Sequence, residues 1–247
     1  MAKVAAFFDV DGTLLAKHSA SLYVTHLRRT GQARRRDALR TLYYLAQYKL
    51  GLLDVESAMA VSMRWVAGRE EAALAEDCRS WYATAVRQWI YPEMAVRVRG
   101  HQEAGHLTAL LTSATRYLAE PLGADLGVAH HLVTRLEVRE GRFTGKALRP
   151  VCYGAGKVYW AERFAEEHGV DLRESFFYTD SITDRPVLER VGHPVVVHPD
   201  PRLARLAAQR GWPVLRPKVP ELPAQPGGAV SLSTSDVGHG KGGEGRR

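Results

Sequence analysis

Two carboxylates stand one residue apart near the start of the chain, where Asp9 and Asp11 follow the apolar residues 4–8. The apolar run predicts a buried strand, and residues i and i+2 of an extended chain point to the same side. Both carboxylates are therefore expected to face the crevice beyond the strand's carboxyl end, where open α/β sheets bind ligands. Two anions this close repel each other unless a cation or a shared proton relieves them. Gly12 lets the backbone turn tightly and bring its N–H groups near an anion.

Two further predicted strands also end in polar residues. The strands cover residues 107–111 and 175–178, and the polar residues after them are Thr112 and Ser113, then Asp180, Ser181 and Asp184. Carboxylates from two separate strands suit Mg²⁺, which prefers hard oxygen ligands. The hydroxyl of Ser113 and the ammonium of Lys157, in a helix predicted over residues 155–168, suit a phosphate group. Polar residues at three strand ends, together with this lysine, indicate a functional site more specifically than any one of them would alone.

The order of the predicted elements indicates an α/β fold. From residue 91 onward strands alternate with helices, which is typical of βαβ units and a parallel sheet. Between residues 17 and 90 apolar spacing predicts four helices and no strand, with Ser19 or Ser21 as the cap of the first helix. The middle two are expected over about 34–50 and 54–66, and the last over about 70–89. We therefore expect a core of residues 1–16 and 91–216 into which the helical residues 17–90 are inserted.

Composition is that of an ordinary globular protein for most of the chain. Of the 247 residues 45% are hydrophobic and 25% are charged, and neither a signal peptide nor a membrane span is expected. The two cysteines, Cys78 and Cys152, are too far apart for a disulfide framework or zinc-ligand spacing, so we expect reduced thiols in a cytoplasmic protein. Residues 217–247 contain four Pro and seven Gly among few large apolar groups, and a disordered tail is expected there.

The formal net charge of +7 is concentrated in one segment. Residues 26–49 hold seven Lys and Arg against one Asp, which accounts for +6. This favours attraction to an anionic partner such as a phosphorylated substrate, an acidic membrane surface or nucleic acid, and a solvated helical face is the alternative. Nothing in the segment matches a nucleic-acid-binding module, so we expect no nucleic-acid partner.

Four motifs, in this order along the chain, resemble those of haloacid dehalogenase superfamily phosphatases. They are Asp9-Val10-Asp11-Gly12-Thr13, Leu111-Thr112-Ser113, Lys157, and Tyr178-Thr179-Asp180-Ser181-Ile182-Thr183-Asp184. The resemblance covers roughly residues 4–215, and it is closest to the branch of phosphoserine-phosphatase-like hydrolases (subfamily IB). It implies a Rossmann-like parallel sheet with an α-helical cap domain over residues 17–90.

The resemblance also implies a role for each motif residue in a Mg²⁺-dependent phosphatase reaction. Asp9 would attack phosphorus and form an aspartyl-phosphate, and Asp11 would act as general acid and then general base. The metal would be held by the carboxylates of Asp9 and Asp180 and by the backbone carbonyl of Asp11. Asp184 would orient either a metal-bound water or Lys157. The phosphoryl group would be held by Ser113, Lys157 and the backbone at Gly12, with Ser181 and Thr112 in support.

The substrate is less closely defined than the chemistry. Phosphoserine phosphatases of this branch have a glutamate nine residues after the nucleophile, and His18 occupies that position. His18 at the cap hinge and Arg64 in the cap are candidate substrate ligands. We expect a small phosphorylated metabolite such as phosphoserine or histidinol phosphate. The alternatives are a lipid phosphate reached through contact of the basic segment 28–40 with an anionic membrane, a phosphomutase, and a non-catalytic module that binds an anionic partner. The sequence leaves the oligomeric state open.

Overall fold

The computed structural model of the protein describes residues 2–31, 43 and 66–221. Six strands form one parallel sheet, in the order β3-β2-β1-β6-β7-β8, and β4 and β5 form a separate antiparallel hairpin. The strands are β1 (Ala5–Phe8), β2 (Leu107–Thr115), β3 (His130–Thr134), β4 (Leu136–Arg139), β5 (Arg142–Ala147), β6 (Phe176–Thr179), β7 (His193–Val197) and β8 (Val214–Leu215). This confirms the predicted α/β fold with a Rossmann-like parallel sheet.

Helices connect the parallel strands and cover the sheet. The α-helices are α1 (Ser19–Arg29), α2 (Glu71–Trp81), α3 (Pro92–Glu103), α4 (Arg116–Leu126), α5 (Ala155–His168), α6 (Arg185–Leu188) and α7 (Pro201–Arg210). Their ends follow local chemistry, as α7 shows. The Asp200 side chain accepts hydrogen bonds from the N–H groups of Arg202 and Leu203 at its start, and Gly211 in the left-handed conformation ends it.

The central strand β1 is buried on both faces, which explains why its sequence is apolar without alternation. Ala6 and Phe8 belong to one hydrophobic core, and Ala5 and Phe7 to the core on the other face. The ring of Phe7 lies edge-on to Phe164 of α5, with centroids 5.6 Å apart. Each fully buried side chain of this size contributes about 1.5–3 kcal/mol to the free energy of folding. The strand that carries Asp9 at its end is therefore firmly fixed.

The two connections between the sheet and residues 17–90 pair with each other. The N–H of Ala16 donates to the carbonyl of Trp89 over 2.8 Å, and the N–H of Tyr91 donates to the carbonyl of Leu14 over 2.9 Å. Helices α1 and α2 lie in this inserted segment, while the two helices predicted between them lie outside the described residues apart from a few positions. The paired connections place the start of α1 beside the end of β1.

Three local predictions are corrected by the structure. The residue at the cap position of α1 is His18, with no side-chain cap bond, because the side chain of Ser19 instead bonds to Asp11. The helix expected over about 70–89 ends at Trp81 and continues as a π turn over Tyr82–Val86 and a 3₁₀ turn over Arg87–Trp89. Strand β2 runs past the residue expected to end it, because its pairing with β3 continues to Thr115 after a register shift.

The chain after β8 stays in contact with the core for a few residues. The ring Nε2 of His198 lies 2.7 Å from the carbonyl oxygen of Pro217, and the N–H of Lys218 donates to Oε1 of Glu93. The remainder of the predicted tail, residues 222–247, lies outside the described part of the chain.

Candidate active site

The predicted polar residues come together at one edge of the sheet. Strands β2, β1 and β6 are adjacent and parallel, so their carboxyl ends lie side by side. Asp9 follows β1 directly and Asp180 follows β6, while Ser113 lies near the end of β2. This is the edge where open parallel sheets place their ligand sites, and the structure puts all three residues there.

Lys157 joins two of the acidic residues from the first turn of α5. Its Nζ lies 3.0 Å from Oδ1 of Asp9 and 2.6 Å from Oδ2 of Asp184. Lys157 is 2% exposed and Asp184 is 1% exposed. The hydroxyl of Thr179 donates a further hydrogen bond of 2.7 Å to the same oxygen of Asp184. A buried charge is costly unless it is paired, and here the ammonium has two carboxylate partners.

The ionisation of this group follows from burial and from those pairings. Burial by itself lowers the pKa of Lys157, but the carboxylates of Asp184 and Asp9 outweigh it, and the pKa lies above its usual value. Burial raises the pKa of Asp184, and the ammonium of Lys157 opposes that rise. Lys157 is therefore a fixed positive charge beside Asp9, suitable for holding an anionic oxygen.

Asp180 lies against Gly12, and the contact is close enough to require glycine. Gly12 has φ +77°, and a Cβ at this position would overlap the Asp180 carboxylate. Burial raises the pKa of Asp180 well above its usual value, and the negative charges of Asp9 and Asp184 add to this rise. The carboxyl groups of Asp9, Asp180 and Asp184 thus lie around the ammonium of Lys157, and a bound cation would relieve the repulsion among them.

This donor set fits a magnesium ion. No cluster of three or more His, Cys, Asp or Glu side chains suited to metal binding occurs in the ranges that the structure describes. Unlike zinc, Mg²⁺ does not require such a cluster. It is usually held by one or two carboxylates, and waters and carbonyl oxygens complete the octahedron. The carboxylates of Asp9 and Asp180 would supply that pair, and a divalent cation would relieve the repulsion that adds to the effect of burial on the pKa of Asp180.

Asp11, the second carboxylate of the first motif, is bound by the start of α1. Its Oδ1 accepts a hydrogen bond of 2.7 Å from the backbone N–H of Ser19, and its Oδ2 accepts one of 2.8 Å from the Ser19 hydroxyl. Sequence reasoning considered Ser19 only as a helix cap. The missed signal is its spacing, since a serine at the first turn of the following helix can return to the loop after β1.

Two of the predicted supporting residues, Thr112 and Ser181, make hydrogen bonds to residues that follow them closely in the chain. The hydroxyl of Thr112, which is buried, accepts a hydrogen bond from the N–H of Ala114. The hydroxyl of Ser181 accepts one from the N–H of Thr183 and lies 2.9 Å from the Thr183 hydroxyl. Thr112 thus orders the last part of β2, where Ser113 lies, and Ser181 orders the loop after β6 that begins with Asp180.

Of the two candidate substrate residues, the structure describes His18. His18 precedes α1 in an extended conformation, its carbonyl accepts the N–H groups of Ser21 and Leu22, and its side chain is half-buried. Arg64 lies outside the described residues. The structure thus places His18 near Asp11 along the chain, at the junction of the sheet and the inserted helices.

Two tyrosines near the site were not predicted. Tyr91, in the returning connection, is 4% exposed, and burial together with the charge of Asp180 raises its pKa. Burial also raises the pKa of Tyr153, which lies close enough to Asp184 and Lys157 to sense their charges. Neither stands in a recognisable motif, and only the three-dimensional pairing of the connections brings Tyr91 near Asp180.

Comparison with known proteins assigns the chain to a class. The family model for haloacid dehalogenase-like hydrolases matches residues 6–189. The chain belongs to this family, and the matched range includes the residues gathered at the sheet edge. Within it the protein is a phosphatase.

Three relatives illustrate the range of the match. A histidinol-phosphatase of Neisseria meningitidis is 30% identical over 216 residues, which cover 85% of this chain and 97% of the relative. A phosphoserine phosphatase of Mycobacterium tuberculosis is 30% identical over 238 residues, covering 95% and 77%. The solved structure of a protein of unknown function from Bordetella pertussis Tohama I is similar with a TM-score of 0.79 and 31% identity, covering 87% of this chain and 99% of that one.

Proposed function

We propose that the protein is a Mg²⁺-dependent phosphomonoester hydrolase that acts through an aspartyl-phosphate on a small phosphorylated metabolite. The observation that supports this most strongly is the ammonium of Lys157, buried between Asp9 and Asp184 at the edge where β2, β1 and β6 end. A positive charge 3.0 Å from the Asp9 carboxylate lies where it could hold an oxygen of a phosphoryl group that this carboxylate attacks.

The reaction would proceed in two displacements at phosphorus. A carboxylate oxygen of Asp9 bonds to phosphorus, the bond from phosphorus to the leaving oxygen breaks, and Asp11 gives that oxygen its proton. Asp11 then takes a proton from a water molecule as its oxygen bonds to phosphorus. The bond between phosphorus and Asp9 breaks, which releases inorganic phosphate, restores the carboxylate of Asp9 and leaves Asp11 protonated as it was at the start.

The other residues would hold the transferring group. The ammonium of Lys157, the hydroxyl of Ser113 and the backbone N–H at Gly12 would bind the phosphoryl oxygens. Mg²⁺ would be held by the carboxylates of Asp9 and Asp180 and the backbone carbonyl of Asp11, and it supplies neutralisation of phosphoryl charge. The 2.6 Å contact with Lys157 favours Asp184 as the residue that positions this lysine.

The substrate we propose is a phosphorylated amino acid or a related amino alcohol, such as phosphoserine or histidinol phosphate. Two of the relatives, the histidinol-phosphatase and the phosphoserine phosphatase, support this class. Residues 12–36 contain no carboxylate, so the amine-binding glutamate of phosphoserine phosphatases has no counterpart there and His18 takes its place. Residues 17–90 would act as a cap over the substrate, since α1 begins beside Asp11.

We also infer a cytoplasmic location. The two thiols, Cys78 and Cys152, are buried and unpaired, as is usual for proteins in a reducing compartment. Among the described residues no helix is long and apolar enough to cross a membrane. Contact of the basic segment 28–40 with an anionic membrane surface stays a prediction, because most of that segment lies outside the described residues.

A hydrolysis panel tests the proposal. Purified protein is assayed with Mg²⁺ on phosphoserine, histidinol phosphate, glycerol phosphate and a lipid phosphate, with Asp9→Asn as the blank. The matched control is Asp171→Asn, since the Asp171 side chain accepts a hydrogen bond from the N–H of Arg173 before β6, at the opposite end of that strand from Asp180. We expect release of phosphate from at least one small ester, lost in Asp9→Asn and kept in Asp171→Asn. Activity that survives Asp9→Asn, or failure of the folded protein on every ester, would reject the proposal.

A further inference from the structure

Both carboxylate oxygens of Asp11 are bonded to one residue, Ser19. The backbone N–H of Ser19 donates to Oδ1 over 2.7 Å and its hydroxyl donates to Oδ2 over 2.8 Å. Ser19 is 7% exposed and is the first residue of α1. Hydrogen bonds to an ionised carboxylate are among the stronger ones in proteins, and two from one residue fix both the position and the plane of the group.

This contact links the loop after β1 to the first helix of the segment that follows it. Asp11 lies in the loop after β1, whereas Ser19 opens the first helix of the inserted segment. The N-terminus of α1 also presents the positive end of its helix dipole, which attracts the Asp11 carboxylate. A movement of α1 relative to the sheet would therefore move Asp11 or break its hydrogen bonds.

We propose that Ser19 is a positioning residue, which holds the carboxylate of Asp11 where it can deliver a proton to the leaving oxygen. The inference rests on the proposed function, in which Asp11 is the general acid. Proton delivery depends on placing the acid within hydrogen-bond reach of the leaving oxygen, and small misplacements of a reacting group are costly. Through Ser19, the position of the first inserted helix sets the position of this acid.

A purely structural role for Ser19 would have a different signature. In that case Asp11 only caps α1, and loss of the contact would lower the stability of the helix and impair all substrates alike. A positioning role affects substrates according to their need for a proton. An alkyl phosphate must have its alkoxide protonated as it leaves, whereas 4-nitrophenyl phosphate releases a stable phenolate without help.

Two substitutions at position 19 remove the donors in steps, and a third keeps them. Ser19→Ala removes the hydroxyl, Ser19→Pro removes both the hydroxyl and the N–H, and Ser19→Thr keeps both. Proline is tolerated at the first position of a helix, and His18 already has the extended conformation that a following proline requires, with φ −67° and ψ 123°. Ser21→Ala, in the same turn, is the matched control.

The measurement is kcat/KM for glycerol phosphate and for 4-nitrophenyl phosphate with each variant and Mg²⁺. This ratio reports steps up to the first phosphoryl transfer, so activation of water in the second displacement does not enter it. We expect Ser19→Ala to lower the value for glycerol phosphate about tenfold and Ser19→Pro about a hundredfold, with changes under about twofold for 4-nitrophenyl phosphate. Ser19→Thr and Ser21→Ala should match the wild type.

The outcomes separate this inference from the proposed function. If Ser19→Ala lowers both substrates equally, or neither, the positioning role is overturned, while loss of both activities in Asp9→Asn would still support the phosphatase mechanism. If the wild type hydrolyses neither ester, the proposed function itself fails. Should Ser19→Pro not fold, Ser19→Ala and its rescue by Ser19→Thr decide the question.

Discussion

Lys157 and Asp184 form an ion pair with 2.6 Å between Nζ and Oδ2, and both side chains are almost entirely buried. The same ammonium lies 3.0 Å from Oδ1 of Asp9. Breaking a buried pair by removing one partner leaves an unpaired charge in a medium of low dielectric constant. Removal of either partner is therefore expected to destabilise the fold as well as to disturb the arrangement of the proposed active site.

We predict that Lys157→Met destabilises the protein by about 3–5 kcal/mol, because Asp184 and Asp9 lose their counter-charge. Adding Asp184→Asn should recover part of that loss, since it removes one unpaired carboxylate. Urea unfolding of both single variants and the double variant gives the coupling energy. The exposed Lys146→Met is the control and should change the free energy of unfolding by less than about 0.5 kcal/mol. A loss under about 1 kcal/mol for Lys157→Met would contradict the prediction.

A second prediction concerns the contact between Gly12 and Asp180. Gly12→Ala and Gly105→Ala introduce a side chain at nearly equal backbone angles, φ +77° and +76°, but only the first meets the Asp180 carboxylate, and nothing lies within 4 Å of the second. Both should lose about 1–2 kcal/mol of stability from backbone strain. Only Gly12→Ala should lower kcat/KM, by about a hundredfold or more, as Asp180 is displaced. Equal activities in the two variants would show that the close approach is not needed.

A third prediction concerns His101, which lies in the core away from the proposed site. Burial, together with the nearby charges of His106 and Arg97, lowers the pKa of His101 to about 4. The unfolded chain therefore binds a proton that the folded chain does not between about pH 6.5 and 4, and stability falls as the pH falls through this window. From pH 7 to 5 this one group should cost about 2 kcal/mol.

Urea unfolding at pH 7 and pH 5 tests that prediction. His101→Gln should lose about 2 kcal/mol less between the two pH values than the wild type, because glutamine does not titrate. His193→Gln, at an exposed position, should keep the pH dependence of the wild type. The assignment to His101 is wrong if both variants follow the wild-type curve.

The sequence was sufficient to predict which residues lie together at the sheet edge, because each of them follows its own apolar strand. Asp9 and Asp180 each follow an apolar run, and parallel strands end at a common edge, so their convergence could be inferred before the strand order was known. Gly12 was singled out for its backbone freedom. The structure adds the reason that only glycine fits, which is the approach of the Asp180 carboxylate.

Contacts that depend on where a helix begins or on how two connections pair were not accessible in this way. The bond between Ser19 and Asp11 depends on where α1 begins, and helix starts are uncertain by a few residues in any sequence pattern. Tyr91 lies close enough to Asp180 for that charge to raise its pKa, because the connection that contains Tyr91 pairs with Leu14. The two-residue strand β8 is too short to show a periodic pattern.

The most direct test of the account is whether phosphate becomes covalently attached to Asp9. The protein is mixed with a radiolabelled phosphate ester and Mg²⁺, quenched in acid, and digested for mass spectrometry. We predict label on the peptide that contains Asp9, more of it in Asp11→Asn because water activation is impaired, and none in Asp9→Asn. Turnover of the ester by the wild type with no label on Asp9 in either the wild type or Asp11→Asn would contradict the aspartyl-phosphate mechanism.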